Sequence, residues 1–319
     1  IEYYIPDRYE EGYGVSMKGI DYAHEAGVKL IIILDCGIKA VDEIAYAKNL
    51  GIDFIICDHH MPDEVLPPAV AILNPKRKDD TYPFKHLCGC GVGFKLMQAF
   101  AKNNGIPFSR LIPLLDMCAV SIAADIVPVT DENRILAYHG LKILNQNPSI
   151  GLKAIIDICG LNGRELSMSD IIFKIGPRIN ASGRMESGRE SVDLLVEKDF
   201  SSALCKAKHI DCYNEKRKDI DKQMTEEANH IVSRLESQRH QSSIVLYDAN
   251  WKKGVIGIVA SRLTEIYFRP TVVLTRDGDF ATGSARSVTG FDVYSAIESC
   301  RDLLVNFGGH TYAAGLTLR

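Results

Sequence analysis

The chain of 319 residues is 46% hydrophobic and 24% charged, with a net charge of −4; this is an ordinary globular composition, long enough for two domains with cores of their own. No apolar run reaches the roughly 20 residues of a membrane-spanning helix, because the longest, around 111–129, is broken by Asp116, Ser121 and Asp125, and no signal peptide opens the chain. Nine irregularly spaced cysteines read as reduced, buried thiols of a cytoplasmic protein, and the mild acidity excludes a global basic field while leaving room for local basic patches beside an acidic site.

The first quarter of the chain alternates strand and helix, the signature of a parallel sheet with helices on its faces. Lys29-Leu30-Ile31-Ile32-Ile33-Leu34 reads as a buried strand that runs into Asp35. Residues 39–50 read as a helix stopped by Gly51, and 52–57 as a second strand that runs into Asp58-His59-His60. In such a unit both strands are parallel, so their carboxyl ends share one rim of the sheet. That rim is where open α/β sheets bind ligands. A lone aspartate after a strand is usually a turn or cap residue; two adjacent histidines after the next strand turn the reading toward a ligand site. Neighbouring imidazoles point in different directions, so the natural division is one ligand and one group that faces the substrate. Hard oxygen ligands mixed with imidazole suit Mn²⁺ or Mg²⁺ better than a closed structural zinc site.

Residues 70–73 form a third short strand, and 92–160 read as mostly helical. Cys88-Gly89-Cys90 with His86 nearby lacks the second ligand pair of a zinc site, and Gly89, Gly91 and Gly93 read as close packing of a helix N-terminus. The apolar helix 111–124 ends in Asp125-Ile126-Val127-Pro128. An acidic residue at a helix C-terminus opposes the macrodipole, and broken local rules tend to mark functional sites. Asp125 is therefore either a third candidate metal ligand or a simple turn residue.

The loop Gly176-Pro177-Arg178-Ile179-Asn180-Ala181-Ser182-Gly183-Arg184 combines arginine forks, which match phosphate oxygens, with glycines that admit close backbone approach. It is a polar surface loop or, as Ile175 and Ile179 favour, a phosphate or sugar contact. Residues 200–238 contain no Pro or Gly and many charges, which reads as a long solvent-bathed helix connecting two domains. A second α/β block follows, with strands at 243–247, 271–275 and 280–286 and a helix at 257–267. It carries Gly283-Ser284-Ala285-Arg286-Ser287 and, near the end, Gly308-Gly309-His310 through Gly315. The paired glycines make either a tight turn into a strand or, with Arg286, a phosphate-binding pocket.

Together these segments resemble the DHH phosphoesterase superfamily, and within it the RecJ-type single-stranded-DNA exonucleases. The resemblance spans essentially the whole chain. It rests on Tyr4-Ile5-Pro6-Asp7-Arg8-Tyr9-Glu10-Glu11-Gly12-Tyr13-Gly14, Leu34-Asp35-Cys36-Gly37, Asp58-His59-His60, Ala124-Asp125-Ile126-Val127-Pro128, the Arg178–Arg184 stretch, Ser284-Ala285-Arg286-Ser287 and Gly308-Gly309-His310. It implies an α/β fold: a parallel-sheet DHH catalytic domain over 1–199, a connecting helix over 200–238 and a smaller α/β DHHA1-type domain over 239–319. It also implies a two-metal phosphodiesterase that degrades single-stranded DNA from 5′ to 3′ in DNA repair and recombination. In that scheme Asp35 bridges two Mn²⁺ or Mg²⁺ ions, His59 and Asp125 complete the second ion's protein ligands, and His60 with Asp58 serves catalysis at the scissile phosphate. Arg178, Asn180, Ser182 and Arg184, with Ser284, Arg286, Gly308, Gly309 and His310, hold the DNA across a cleft. The implied setting is a cytoplasmic monomer with single-stranded DNA as substrate and a single-strand-binding protein and a helicase as partners. The family's aspartate-rich first motif, which ligates the first metal, belongs ahead of Ile1, so the start reads as a truncation; the oligonucleotide-binding module found near the family's C-terminus is missing or incomplete. Two other functions compete: a short-oligonucleotide or phosphomonoester hydrolase of the same superfamily, and a non-catalytic replication scaffold on this fold.

Overall fold

The computed structural model describes residues 1–8, 10–236 and 241–319 of the chain. Tyr9 of the first motif, and residues 237–240, where the connecting helix was expected to end and the second domain to begin, lie outside the described residues, as do the side chains of 235 and 236. The chain packs as two units, Ile1–Asp211 and Cys212–Arg319, so the division falls inside the long helix.

The first unit opens with α1 (Met17–Glu25), whose N-cap Ser16 accepts a hydrogen bond from the Gly19 amide. It continues as β1 (Leu30–Leu34), α2 (Val41–Asn49), β2 (Asp53–Cys57) and β3 (Ala71–Leu73). The three strands are parallel in the order β1-β2-β3, with Leu30 opposite Asp53 and Leu34 opposite Cys57. Acidic Asp42 and Glu43 open α2 and Lys48 closes it, in the sense the helix dipole favours. Ile33, Ile44, Ile52, Phe54 and Ile56 are buried between sheet and helices, each a side chain whose burial contributes about 1.5–3 kcal/mol. β1 departs from the expected buried strand. It lies at the sheet edge, and Leu30, Ile32 and Leu34 on one face are 48%, 49% and 57% exposed.

Helices complete this unit: α3 (Gly89–Asn103), α4 (Leu115–Ala124), α5 (Asp131–Gln146), α6 (Ile150–Ile158), α7 (Met168–Asp170), α8 (Gly176–Met185) and α9 (Arg189–Leu195). A short 3₁₀ turn, Ile112–Leu114, replaces the expected first turn of α4, and another, Phe108–Arg110, precedes it. The 176–184 stretch, expected as a loop, is helix. A π turn over Ile171–Ile175 runs straight into α8, and Pro177 sits in the first helical turn, where its fixed φ is preorganised.

The long helix α10 spans Phe200–Glu236. It is not solvent-bathed along its length. Ala203, Ala207 and Ile210 enter the core of the first unit, and Met224, Ala228 and Val232 enter that of the second. This spacing of three and four is an apolar stripe hidden among charges. Within the charge run, Asp221 is 1% exposed and accepts a hydrogen bond from Arg262 at 2.8 Å.

The second unit holds β4 (Ile244–Tyr247), α11 (Ile256–Tyr267), β5 (Thr271–Asp277), β6 (Phe280–Arg286), α12 (Val293–Glu298), β7 (Leu304–His310) and β8 (Ala313–Leu318). The sheet order is β4-β5-β6-β8-β7; β4 and β5 are parallel and the other pairs antiparallel. α11 belongs to a core with Trp251, Leu246 and Val273, and α12 to a second one with Ala285 and Ala314. The sequence reading lacks α12, a short helix whose signal is one N-cap, Asp292, accepting from the Ser295 amide at 3.0 Å. All nine cysteines are free. Burial pushes the Cys57 and Cys88 thiols up to about 11, as expected of inert buried thiols, whereas Cys205, Cys212 and Cys300 are exposed. Among the described residues no helix is long and apolar enough to cross a membrane.

Candidate metal centre

The ladder of the first sheet hands its polar residues onto one rim in succession. The Asp35 amide donates to Cys57 O at 2.9 Å and the Asp58 amide to Leu73 O at 3.0 Å, so each residue leaves its strand as the last rung of the next pairing. His59 is 7% exposed. Its Nε2 lies 3.1 Å from Asp35 Oδ1 and 3.3 Å from Asp125 Oδ2. Asp125 arrives from elsewhere, as the C-cap of α4. Two backbone positions here are left-handed without being glycine: Asp35 at φ 66° and Ile126, next to Asp125, at φ 54°. Such conformations cost of order 1–3 kcal/mol and collect at functional sites.

Asp58 is 1% exposed and organises the rim. Its carboxylate accepts from the amides of Ile38 (3.0 Å), His59 (2.7 Å) and His60 (3.1 Å), and its Oδ1 lies 2.7 Å from His60 Nδ1. Burial alone would raise the Asp58 carboxyl, but the bonds from His60 and the amides outweigh it and hold the group below its ordinary range. The same contact with Asp58, against burial, raises the His60 imidazole above its ordinary value. With Nδ1 committed to Asp58, only Nε2 of His60 is left to face a ligand. Asp58, expected among the catalytic residues, is buried with its carboxylate taken up by the His60 ring and three amides. Burial foremost, and the negative charge of Asp35, push the Asp125 carboxyl up against the pull of His59.

Donor atoms of Asp35, His59 and His60 lie within 4.8 Å of one another, a group that could hold a metal ion. The set fits Mn²⁺ or Mg²⁺: two carboxylates converge on one buried imidazole nitrogen with no lysine or arginine of the described residues paired to either. His86, Cys88 and Cys90 do not form a competing zinc site. Cys88 caps α3 by accepting from the Gly91 amide, Cys90 Sγ lies 3.9 Å from Cys118 Sγ, and the His86 ring packs on Phe84.

Three contributors escaped the sequence reading. Gly89 starts α3 directly against Asp35, where a Cβ would lie 2.1 Å from Asp35 Oδ1; the absent side chain is what admits the carboxylate. Asn74 is 1% exposed and donates to His60 O at 2.9 Å. Lys76 follows it. The signal for Asn74 and Lys76 was available: rim logic applied to the two longer strands extends to the exit of β3.

The residues expected to hold nucleic acid differ in how their side chains are engaged. Arg178 donates to Asp211 Oδ1 at 2.7 Å and to Lys174 O at 3.0 Å. Ser182 is fully buried and lies 2.6 Å from Ser191 Oγ, so its hydroxyl joins the packing of α8 on α9. Asn180 is exposed and Arg184 half-buried. In the second unit, Arg286 is half-buried, donates to Ser261 Oγ (3.1 Å), Ser284 Oγ (2.8 Å) and Ala285 O (2.8 Å), and has no carboxylate within ion-pair distance among the described residues. A Cβ on Gly257 in the first turn of α11 would lie 3.0 Å from Arg286 Nη2. A guanidinium, a hydroxyl and a helix start thus share one corner. Gly308 and Gly309 lie inside β7, not in a turn. Gly308 has open space where a side chain would be, whereas Gly309, at φ 149°, is required because a Cβ would lie 2.3 Å from Ala313 O. His310 ends β7 with its Nδ1 accepting from the Tyr312 amide at 3.3 Å.

Comparison with known proteins gives concordant matches. Residues 1–122 match the DHH family, N-terminal domain, and 228–319 match the DHHA1 domain. The single-stranded-DNA-specific exonuclease RecJ of Bacillus subtilis (strain 168) is 42% identical over 321 residues, covering all of this chain and 40% of that protein. The protein of the same name from Escherichia coli (strain K12) is 37% identical, covering all of this chain and 58% of that protein. The chain thus spans about half the length of the curated relatives it matches. A crystal structure of exonuclease RecJ bound to manganese superposes with a TM-score of 0.79 at 31% identity, covering 99% of this chain and 77% of that one. RecJ from Thermus thermophilus in complex with Mn²⁺ gives a TM-score of 0.82 at 29% identity, over 95% of this chain and 44% of that one.

Proposed function

The chain belongs to the DHH family, in its RecJ branch, and on that footing we propose that it is the catalytic part of a divalent-metal-dependent exonuclease that hydrolyses phosphodiester bonds of single-stranded DNA from the 5′ end. One observation carries the reading: at the carboxyl rim of the first sheet, His59 Nε2 lies 3.1 Å from Asp35 Oδ1 and 3.3 Å from Asp125 Oδ2. Asp35, His59 and Asp125 would hold Mn²⁺ or Mg²⁺. When bound, such an ion acts as a Lewis acid on phosphoryl oxygens and lowers the pKa of water. The protein's own groups do the positioning. Asp58 fixes His60 through Nδ1, which leaves Nε2 as the ring nitrogen to meet a phosphate, as a hydrogen-bond donor when the imidazole is protonated. The Arg286 corner, where a half-buried guanidinium has no acid partner among the described residues, supports a second phosphate contact with Ser284, Gly308 and His310 nearby in the strand order. Single-strand-binding and helicase partners, a monomeric state and a cytoplasmic setting follow from the family resemblance alone.

The test is metal-dependent release of mononucleotides from 5′-phosphorylated single strands, by this chain and by a protein of its relatives' full length that contains it. Release that needs Mn²⁺ or Mg²⁺ and is lost in Asp35→Asn supports the proposal. No release from the longer protein in either ion overturns it, and a preference for dinucleotides over long strands assigns the chain to the short-oligonucleotide hydrolases instead.

A further inference from the structure

β3 delivers a cation to the rim that gathers the candidate metal ligands. The strand ends at Leu73, whose carbonyl accepts from the Asp58 amide. The next residue, Asn74, is buried and bridges two segments: its Nδ2 donates to His60 O at 2.9 Å, and its Oδ1 accepts from the Lys76 amide at 2.9 Å. Pro75 between them fixes its own φ. The backbone of Lys76 is therefore tied, through one side chain, to the backbone of His60.

The Lys76 side chain is half-buried, and among the described residues no hydrogen bond or ion pair engages its ammonium. Burial lowers its pKa, and the charges that act on it are Asp125 and Asp58. Neither is a dedicated partner. Asp58 is filled by His60 and three amides, and Asp125 is turned to His59 Nε2. Arg77 beside it shows the opposite situation, bonded to Ile72 O and paired with Asp79. A partly desolvated ammonium normally has a counter-charge; among the described residues none pairs with Lys76, whose backbone Asn74 anchors to that of His60.

We propose that Lys76 is a substrate-binding residue whose ammonium takes a non-bridging oxygen of a DNA phosphate at the rim that carries His60. This deepens the phosphodiesterase reading above and rests on it. Lysine suits the place as a compact point charge on a flexible stem, able to follow a phosphate without competing for the carboxylates that a metal needs.

The experiment titrates a fluorescein-labelled oligothymidylate, 5′-phosphorylated, into wild type, Lys76→Gln, Lys76→Arg and Asp35→Asn, in EDTA and in Mn²⁺, at several KCl concentrations, with Mn²⁺ affinity and melting measured alongside. The expected result for Lys76→Gln is a loss of about five- to tenfold in DNA affinity and a log–log salt slope smaller by about 0.7, the value of one single-strand phosphate contact. Lys76→Arg restores most of the affinity, and Mn²⁺ affinity stays within about twofold of wild type. DNA affinity and slope unchanged in Lys76→Gln overturn the proposal. So does a parallel loss of melting temperature and DNA affinity that Lys76→Arg fails to rescue, because that marks a structural residue. Mn²⁺ binding that survives Asp35→Asn overturns the metal reading, not the phosphate contact, which the EDTA arm measures by itself.

Discussion

The rim of the first unit and the β6 corner of the second are built to opposite charge plans. On the rim, Asp35, Asp58 and Asp125 surround one buried imidazole and one half-exposed one. In the corner, Arg286 is held by neutral hydroxyls and a carbonyl, with no acid beside it among the described residues. The first is a surplus of negative charge that a cation would settle, the second a positive charge that an anion would settle. Arg178, which looks equivalent to Arg286 in the sequence, falls in neither class, because Asp211 already neutralises it at 2.7 Å. An arginine in a Gly/Ser-rich stretch is thus no guide to function until its partner is known.

The largest effect that would sharpen this contrast is on the rim. Asp35→Ala removes the carboxylate nearest His59, and Mn²⁺ affinity measured by calorimetry is expected to fall by more than about 100-fold, since even groups outside the ligand shell contribute about 10–100-fold. DNA binding in EDTA should not fall with it. If Mn²⁺ affinity were retained, the rim would not be the cation site and the comparison would collapse. His60→Ala should instead preserve Mn²⁺ affinity within a few-fold while the rate drops; an equal loss of metal binding would make His60 a ligand.

Gly89→Ala comes next. Its Cβ would lie 2.1 Å from Asp35 Oδ1, and backbone and carboxylate have to part. Mn²⁺ binding is expected to weaken about tenfold, on the scale of a disturbed supporting shell, although alanine is favoured over glycine in a helix by about 1 kcal/mol. Gly91→Ala, on the same helix, meets Cys88 and Leu87 only at 3.4 Å and should bind metal normally. Equal behaviour of the two variants would show that α3 does not shape the site.

In the corner, Arg286→Ala should weaken single-strand binding and reduce the log–log salt slope by about 0.7, with Mn²⁺ affinity unchanged. Arg178→Ala should do neither to the same degree, and should lower the melting temperature, because it strips Asp211 of its partner. A reversal of that order would mean that the Asp211 pair opens for DNA and that the two arginines differ less than their contacts imply.

What the sequence could disclose follows the range of each interaction. The β1-α2-β2 unit was legible because it is local: two apolar runs, a helical interval and Gly51. Asp35 and Asp58-His59-His60 could be brought together because a parallel unit has one carboxyl rim; Asp125 stayed open between ligand and turn residue, and only the family resemblance joined it and His59 to Asp35 as a ligand set. The partners of Arg178 and Ser182 were not legible, since Asp211 and Ser191 lie on other helices and no periodicity links them. The apolar stripe of α10 was masked by its charges, and its division between two cores depends on packing that begins only once each unit has folded. Gly89 was rightly taken for close packing, but only the folded structure identifies Asp35 as the neighbour.

The smallest expected effect tests whether the rim's backbone strain is needed. Ile126 adopts φ 54° and is 76% exposed, so a β-branched residue occupies a left-handed conformation without repaying it through burial. Asparagine tolerates that region far better. Ile126→Asn should therefore stabilise the protein by about 1 kcal/mol, the low end of the cost of such a conformation, a rise of about 1.5 °C at this chain length. If the left-handed turn serves only to point Asp125 at His59, Mn²⁺ affinity should stay as it was, because asparagine holds the same turn. A stabilised protein with weakened Mn²⁺ binding would show that the isoleucine side chain itself matters to the rim. An unchanged melting temperature would show that the turn carries no removable strain.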